Sequence, residues 1–300
     1  RGSSPEGSRA WRRRIGDHVR SAAPQGRLSV RRMCRLAGVS RASFYRKPRP
    51  ADEHEMNLRA ALHQAALENP FYGYRRLTYA LKRGGWTVGE RRVRRMMRED
   101  NLLRLRKKRV CRTTDSQHSL GIYPNLARDC KPGGMNQLWA ADITYVRLRT
   151  QFIYAAVVLD VFSRRVVGWA VGESLETELP LAALEQALEA RRPSGELIHH
   201  SDRGTQYASH KYVDKLRENG VRISMSRKGN PYDNAFAESF MKTLKTEEIY
   251  ANEYETIEEA QAEIGRFIEL VYNRKRLHSA LGYRPPAELE AELTSAKRAA

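Results

Sequence analysis

Three carboxylates stand in this sequence where residue type alone does not explain them. Asp142 interrupts the run LWAADITYV, which is rich in sheet formers, although aspartate is disfavoured inside strands. Asp202 follows the short strand pattern ELIHH in HHSDRGTQYAS, at the carboxyl end of a strand, where α/β folds gather their ligand sites. Glu238 is carried by PYDNAFAESFMKTLKTEEIY, a helical pattern opened by Asp233 or Asn234. Between Asp202 and Glu238 lie 35 residues, room for a helix, a strand and the start of another helix, so the third carboxylate can return to the first two. Taken singly, each has an ordinary reading: a strand-edge residue, a turn residue and an exposed helix charge.

Their joint placement points to chemistry. Clustered carboxylates raise one another's pKa unless a cation neutralises them. Three hard oxygen donors suit Mg²⁺, with Mn²⁺ as a substitute. Two such ions about 3.5–4 Å apart activate an attacking oxygen and stabilise the leaving 3′ oxygen at phosphorus. The expected reaction is phosphodiester cleavage or transfer, with Asp142, Asp202 and Glu238 as both catalytic residues and metal ligands.

On the same helix, Lys242 and Lys245 follow Glu238 by four and seven positions and share its face, with Asn234 one turn before. An ordinary Glu-to-Lys pair explains Lys242 as well as a ligand does, whereas Lys245 fits such a pair poorly. If Glu238 holds a metal, both lysines are placed to hold phosphates beside the scissile one. Tyr232 and Asn234 either contact DNA or brace and cap the helix, and Gly229 and Pro231 shape the loop before it. His199 and His200 are structural strand-end residues or ligands. Asp160, ahead of Phe162, Ser163 and Arg164, caps a turn or adds a fourth carboxylate. Arg276 and His278 touch the other strand or cover the core.

The elements that must position these residues are legible from periodicity. Strand patterns occupy 138–148, 152–163 and 165–172, then a helix 177–192, a strand 196–200, a helix 209–219 and a strand 221–226. Three strands followed by alternating helices and strands predict an α/β fold, a mixed sheet covered by helices. We place this core at 135–250, with a helical extension over 251–300 that includes a helix at 256–276. Upstream, SVRRMCRLAGVSRASFYR reads as a helix on Val30, Met33 and Leu36, a stop at Gly38, and a short helix capped by Ser40. A second hairpin in 73–103 flanks Gly84-Gly85, with Leu77, Leu81, Val93, Met96 and Met97 as its core and arginines facing out. Residues 25–112 are thus an all-α, helix-turn-helix-like region, with Arg41, Arg75, Arg76, Arg91 and Arg92 as candidate DNA contacts. A basic, Ser- and Gly-rich tail is expected over 1–24 and a linker over 113–134.

Charge supports that assignment. The chain carries a net +19, and residues 1–112 hold 30 Lys and Arg against 9 Asp and Glu, while 113–300 hold 24 against 26. The whole excess lies in the first third, which favours a polyanion partner over a merely solvated surface. No run of about 18 apolar residues and no secretory pattern occur, which predicts a soluble, cytoplasmic protein without a membrane. Cys34, Cys111 and Cys130 are isolated, arguing against a disulfide framework or a structural zinc. The first residue is Arg rather than Met, as expected of a fragment or of the downstream part of a longer product.

WAADITYV, VLDVFSR, HHSDRGTQY, SRKGNPYDNAFAESFMKTLKTE and YNRKRLHSALGYRPP together resemble the second-reading-frame (OrfB) transposases of the IS-three group of bacterial insertion sequences, over about residues 28–290. The resemblance implies a ribonuclease H-like, integrase-type core in which Asp142, Asp202 and Glu238 take the DDE positions. It implies Mg²⁺-dependent nicking at element ends and attack of the freed 3′ hydroxyl on another phosphodiester. Its partners would be double-stranded DNA, further copies of the chain in a synaptic complex, and an upstream reading-frame product, at the bacterial nucleoid. Two rival readings remain at this point: a catalytically silent element-end binder acting as a regulator, and a structure-selective nuclease on the same fold.

Overall fold

The computed structural model describes residues 29–36, 38, 40–45, 52–103, 121–227 and 231–299. The expected tail, Cys111, Gly229 and the first part of the expected linker lie outside these residues. The chain divides into two compact units, Arg1–Ala61 and Leu62–Ala300.

The first unit holds helices Val30–Leu36 and Arg41–Tyr45, parted at Gly38, whose φ of +63° suits a residue without a Cβ. Its pattern is looser than the periodicity suggests, because Cys34 is buried while Leu36 is 73% exposed. A further helix, Glu53–Glu68, runs across the boundary between the units. Asp52 opens it by accepting the His54 N–H at 3.1 Å, and Glu53 and Glu55 sit at its positive end.

In the second unit, helices Tyr74–Arg83 and Glu90–Glu99 form the expected hairpin, with Gly85 at φ +87° in the turn. Leu77, Leu81, Val93, Met96 and Met97 are all buried, as their spacing requires. The hairpin is seated on the C-terminal part of the unit. Tyr79 stacks on Tyr283 with centroids 3.7 Å apart, Arg83 forks onto Glu288 at 2.9 and 2.6 Å, and the Leu277 N–H donates to the Tyr72 hydroxyl at 2.8 Å.

The sheet has five strands: β1 (Leu138–Arg147), β2 (Phe152–Asp160), β3 (Val166–Gly172), β4 (Ile198–Ser201) and β5 (Arg222–Met225). Their spatial order is β3-β2-β1-β4-β5. The first three are an antiparallel meander, and β4 and β5 join parallel to β1 by crossovers through helices. One face packs Trp139, Ala141, Ala156 and Val158 against helix Glu178–Arg191 and helices Thr205–Ala208 and His210–Glu218. The other packs Val146, Val157 and Leu159 against helix Ala235–Leu244 and the C-terminal helices. This three-layer mixed sheet is the α/β, ribonuclease H-like arrangement expected. Gly168 sets one layer contact, because a Cβ there would stand 2.0 Å from the Ala183 carbonyl oxygen. Residues 121–134 are not free of the core: Leu126 and Ala127 donate their N–H groups to Ser224 Oγ and pack with Cys130 against Leu138, Val161 and Ala237.

Candidate active site

The sheet register brings the first two carboxylates together. β1 and β4 pair in parallel up to Ala140 and His200; Asp142 lies two residues further along β1, and Asp202 two residues further along the chain, just past the end of β4. Asp142 is opposite Val157 on β2, so it shares the sheet face on which helix Ala235–Leu244 lies. Asp202 is turned back by its own loop, accepting the Gly204 N–H on Oδ1 at 2.9 Å. A Cβ at 204 would lie 2.8 Å from Gln206 Oε1 and 3.0 Å from the same Asp202 oxygen, so any larger residue would make those two side chains shift.

Glu238 is exposed in the first turn of its helix. Asn234 ties the start of that helix to the sheet: it is buried, and its Nδ2 donates to the Ala141 carbonyl, one residue before Asp142, at 3.0 Å. Of its two sequence readings, this is the bracing one. Asp233 pins the preceding loop by accepting the N–H and guanidinium of Arg227, which hold its carboxyl down at about 2.

Electrostatics link the three acids. Asp142 is only half-exposed, and burial first, then Asp202, pushes its carboxyl up to about 7; the Ile143 N–H opposes this, Glu238 adds to it, and Lys245 opposes it. Burial raises Glu238 as well. Lys245 is thus a counter-charge to Asp142, while Lys242 is exposed further up the helix. The helix widens at Lys245 into a π-helical turn, Lys245–Ile249, a feature common at functional sites. Among the described residues no three His, Cys, Asp or Glu side chains stand close enough to form a ready-made metal site. The donor chemistry nevertheless suits a hard divalent cation, since two adjacent carboxylates and a third nearby crowd negative charge onto a group already resisting ionisation.

The remaining polar residues sort by their partners. His199 is buried against the Tyr212 hydroxyl at 2.9 Å, and burial holds it down at about 3. His200 lies between Ser224 Oγ at 2.8 Å and Ser226 Oγ at 3.1 Å, held by burial at about 4. Both are neutral framework residues. Asp160 caps the β2–β3 turn, accepting N–H groups from Phe162 and Ser163 on one oxygen and from Asn136 on the other. Arg276 is buried in a forked pair with Glu247 at 2.9 and 2.7 Å. Sequence reasoning did not single out Tyr207, whose buried hydroxyl has no hydrogen-bond partner among the described residues and is held un-ionised by burial, with Asp142 and Asp202 adding to the effect.

The candidate DNA contacts are not all alike. Arg41, Arg75 and Arg91 are exposed, Arg75 lying 3.8 Å from Glu90. Arg92 is half-buried, and Arg76 is half-buried over the Tyr72 ring. Tyr232 belongs to the 3₁₀ turn Pro231–Asn234, its side chain being outside the described residues.

Two integrase core domain families match residues 133–231 and 219–286, and an HTH-like domain family matches 51–110. The chain is 40% identical over 263 residues to the insertion element IS600 uncharacterized 31 kDa protein of Shigella sonnei, covering 85% of this chain and 96% of that one. To the transposase InsF for insertion sequence IS3A of Escherichia coli (strain K12) it is 34% identical over 274 residues, 89% of this chain and 95% of the relative. A chain of the simian T-cell lymphotropic virus intasome, solved with PP2A regulatory subunit B56 gamma, is similar at 16% identity over 76% of this chain and 73% of its own, with a TM-score of 0.45.

Proposed function

The chain belongs to the insertion-sequence transposases built on an integrase core domain, and from that premise we propose that it nicks the ends of its element and joins the freed 3′ hydroxyl to another DNA phosphodiester. The observation that carries this reading is that Asp142 on β1 and Asp202, just past the end of β4, each lie two residues beyond the paired Ala140 and His200, with Asp202 and Glu238 both raising the Asp142 carboxyl. Asp142, Asp202 and Glu238 would hold Mg²⁺, or Mn²⁺ in its place. The ions would supply activation of the attacking oxygen and charge stabilisation at the leaving 3′ oxygen.

The chain's own residues prepare that step. Asn234 fixes the height of the Glu238 helix over β1, and the Gly204 N–H orients Asp202. Lys245 offsets the negative charge at Asp142 and, with Lys242, is placed to hold phosphates beside the scissile one. The HTH-like hairpin would present Arg75 and Arg91 to the duplex. Two ends must meet in one event, so the working form on this reading is a homo-oligomer, acting with an upstream reading-frame product on nucleoid DNA in the bacterial cytoplasm. No described helix is long and apolar enough to cross a membrane.

The test uses labelled duplexes carrying the element ends, incubated with Mg²⁺ and either the wild-type chain or Glu238→Gln, each with and without the upstream segment. Nicked and joined products should fall by at least about a hundredfold in Glu238→Gln, the scale of losing a group that stabilises transition-state charge, while DNA binding persists. Unchanged products would remove Glu238 from the site. Binding without cutting, even with the upstream segment, would leave a silent end binder.

A further inference from the structure

The flank of helix Ala235–Leu244 turned away from Glu238 carries Phe236, Thr243 and, beyond the helix end, Glu247. Around it the fold gathers three guanidinium groups from three distant parts of the chain. Arg164 comes from the β2–β3 turn and lies 4.1 Å over the Phe236 ring. Arg76 comes from the HTH-like hairpin and lies over Tyr72, whose hydroxyl accepts the Leu277 N–H next to Arg276. Arg276 lies 5.7 Å over Tyr272, and the Tyr272 ring meets the His278 ring edge-on at 4.9 Å.

The charges in this notch do not balance. Glu247 is committed to Arg276 through two hydrogen bonds, and Asp160, the acid whose charge acts on Arg164, spends its oxygens on backbone N–H groups. Arg76 and Arg164 have no hydrogen-bond or ion-pair partner among the described residues, and the buried Nε2 of His278 has none either. Burial lowers both arginines, Arg276 lowers Arg76 further, and His278 is held down at about 3 by burial and then by Arg276, Arg76 and Arg164. Half-buried guanidinium groups without anions are costly, and their forked donors match phosphate oxygens. Arg164 also holds φ +61°, a conformation unfavourable for a side chain with a Cβ, and such strain collects at sites of function.

We infer that Arg76 and Arg164, framed by Arg276 and His278, form a notch for a backbone phosphate of the bound DNA, one helix width from the carboxylates. The inference rests on the transposase reading. The phosphate held there is not the reacting one; the small, exposed Ser239 lies on the helix surface between the two flanks, so a strand can pass from the notch towards Glu238. The notch joins the hairpin, the β2–β3 turn and the Glu238 helix in one grip on the DNA.

The experiment measures binding of the full-length chain to a non-specific duplex, without divalent metal, across about 50–200 mM salt. Arg164→Gly, which suits the backbone at 164, should lower the salt slope by about one and weaken binding across all sequences, with melting temperature unchanged. Arg76→Gln should do the same, Arg164→Lys should keep the slope, and Arg217→Gln, exposed beside Asp214, should match wild type. An unchanged slope in Arg164→Gly overturns the inference and leaves the transposase reading standing. A wild-type chain that binds no DNA overturns both. If inorganic phosphate stabilises wild type but not Arg164→Gly while the slopes agree, the notch serves free phosphate and the DNA assignment is wrong.

Discussion

Asp142 and the buried histidines pull stability in opposite directions as pH changes. His199 and His278 are each held down at about 3, so between that value and about 6.5 the unfolded chain binds protons that the folded chain refuses. Their contribution is full above about 6.5 and is lost as pH falls, at up to about 1.4 kcal/mol per pH unit for each. Urea midpoints should therefore drop between pH 6.5 and 4, and a flat profile would contradict the neutral assignment. Asp142 has the reverse sign: its carboxyl at about 7 binds a proton in the folded state that the unfolded chain has already released, so stability falls as pH rises from about 4 through 7. Without metal, Asp142→Asn should be more stable than wild type at pH 8, by an amount on the order of a few kcal/mol, and the gain should vanish near pH 4. The three carboxylates were singled out by their joint placement, since each alone had an ordinary reading as a strand-edge, turn or helix-surface acid. The parts played by Asn234 and Gly204 were not legible, because the bond to Ala141 spans the chain and the Gly204 contact depends on how the loop turns back.

For the elements, hydrophobic period was a sufficient guide wherever one face is buried throughout. The five strands and the hairpin follow it closely. It missed helix Glu53–Glu68, whose buried positions Leu58 and Leu62 are a single i,i+4 pair in a segment without a clear apolar stripe; Asp52 with the acids after it was the available signal. It also read 256–276 as one regular helix, where Ile257–Arg266 gives way to a π-helical stretch, Phe267–Tyr272. The 3.6-residue template cannot register a turn that holds one residue more. Layer packing has its own hidden determinant in Gly168. Gly168→Ala must push helix Glu178–Arg191 off β3, so urea unfolding should show a loss of about 1–3 kcal/mol; an unchanged midpoint would mean the helix moves freely.

Across the whole molecule, the sequence showed the division of charge, with the basic excess upstream and a near-neutral core, but not where the hairpin sits. That seat depends on residues about 200 positions apart, Tyr79 with Tyr283 and Arg83 with Glu288. Arg276 and Glu247 lie beneath it as a buried pair. Arg276→Ala, which strands Glu247, should cost about 3–5 kcal/mol, whereas joint replacement by Met and Leu should recover most of that loss. A double-mutant cycle in urea checks this; equal losses in the single and double variants would show that the pair makes no specific contribution.

The seat of the hairpin also bears on how copies of such a gene decay. A frameshift just beyond the codon for Lys275 leaves Asp142, Asp202 and Glu238 in frame but replaces the side chains of Arg276, Tyr283 and Glu288 on which the hairpin and the notch are built. Such an allele keeps the three carboxylates by which intact copies would be counted, yet its product has lost the surface that holds the hairpin in place. A census of live elements based on the three carboxylates alone would therefore overcount, and the last few dozen codons are where the silent losses would be found.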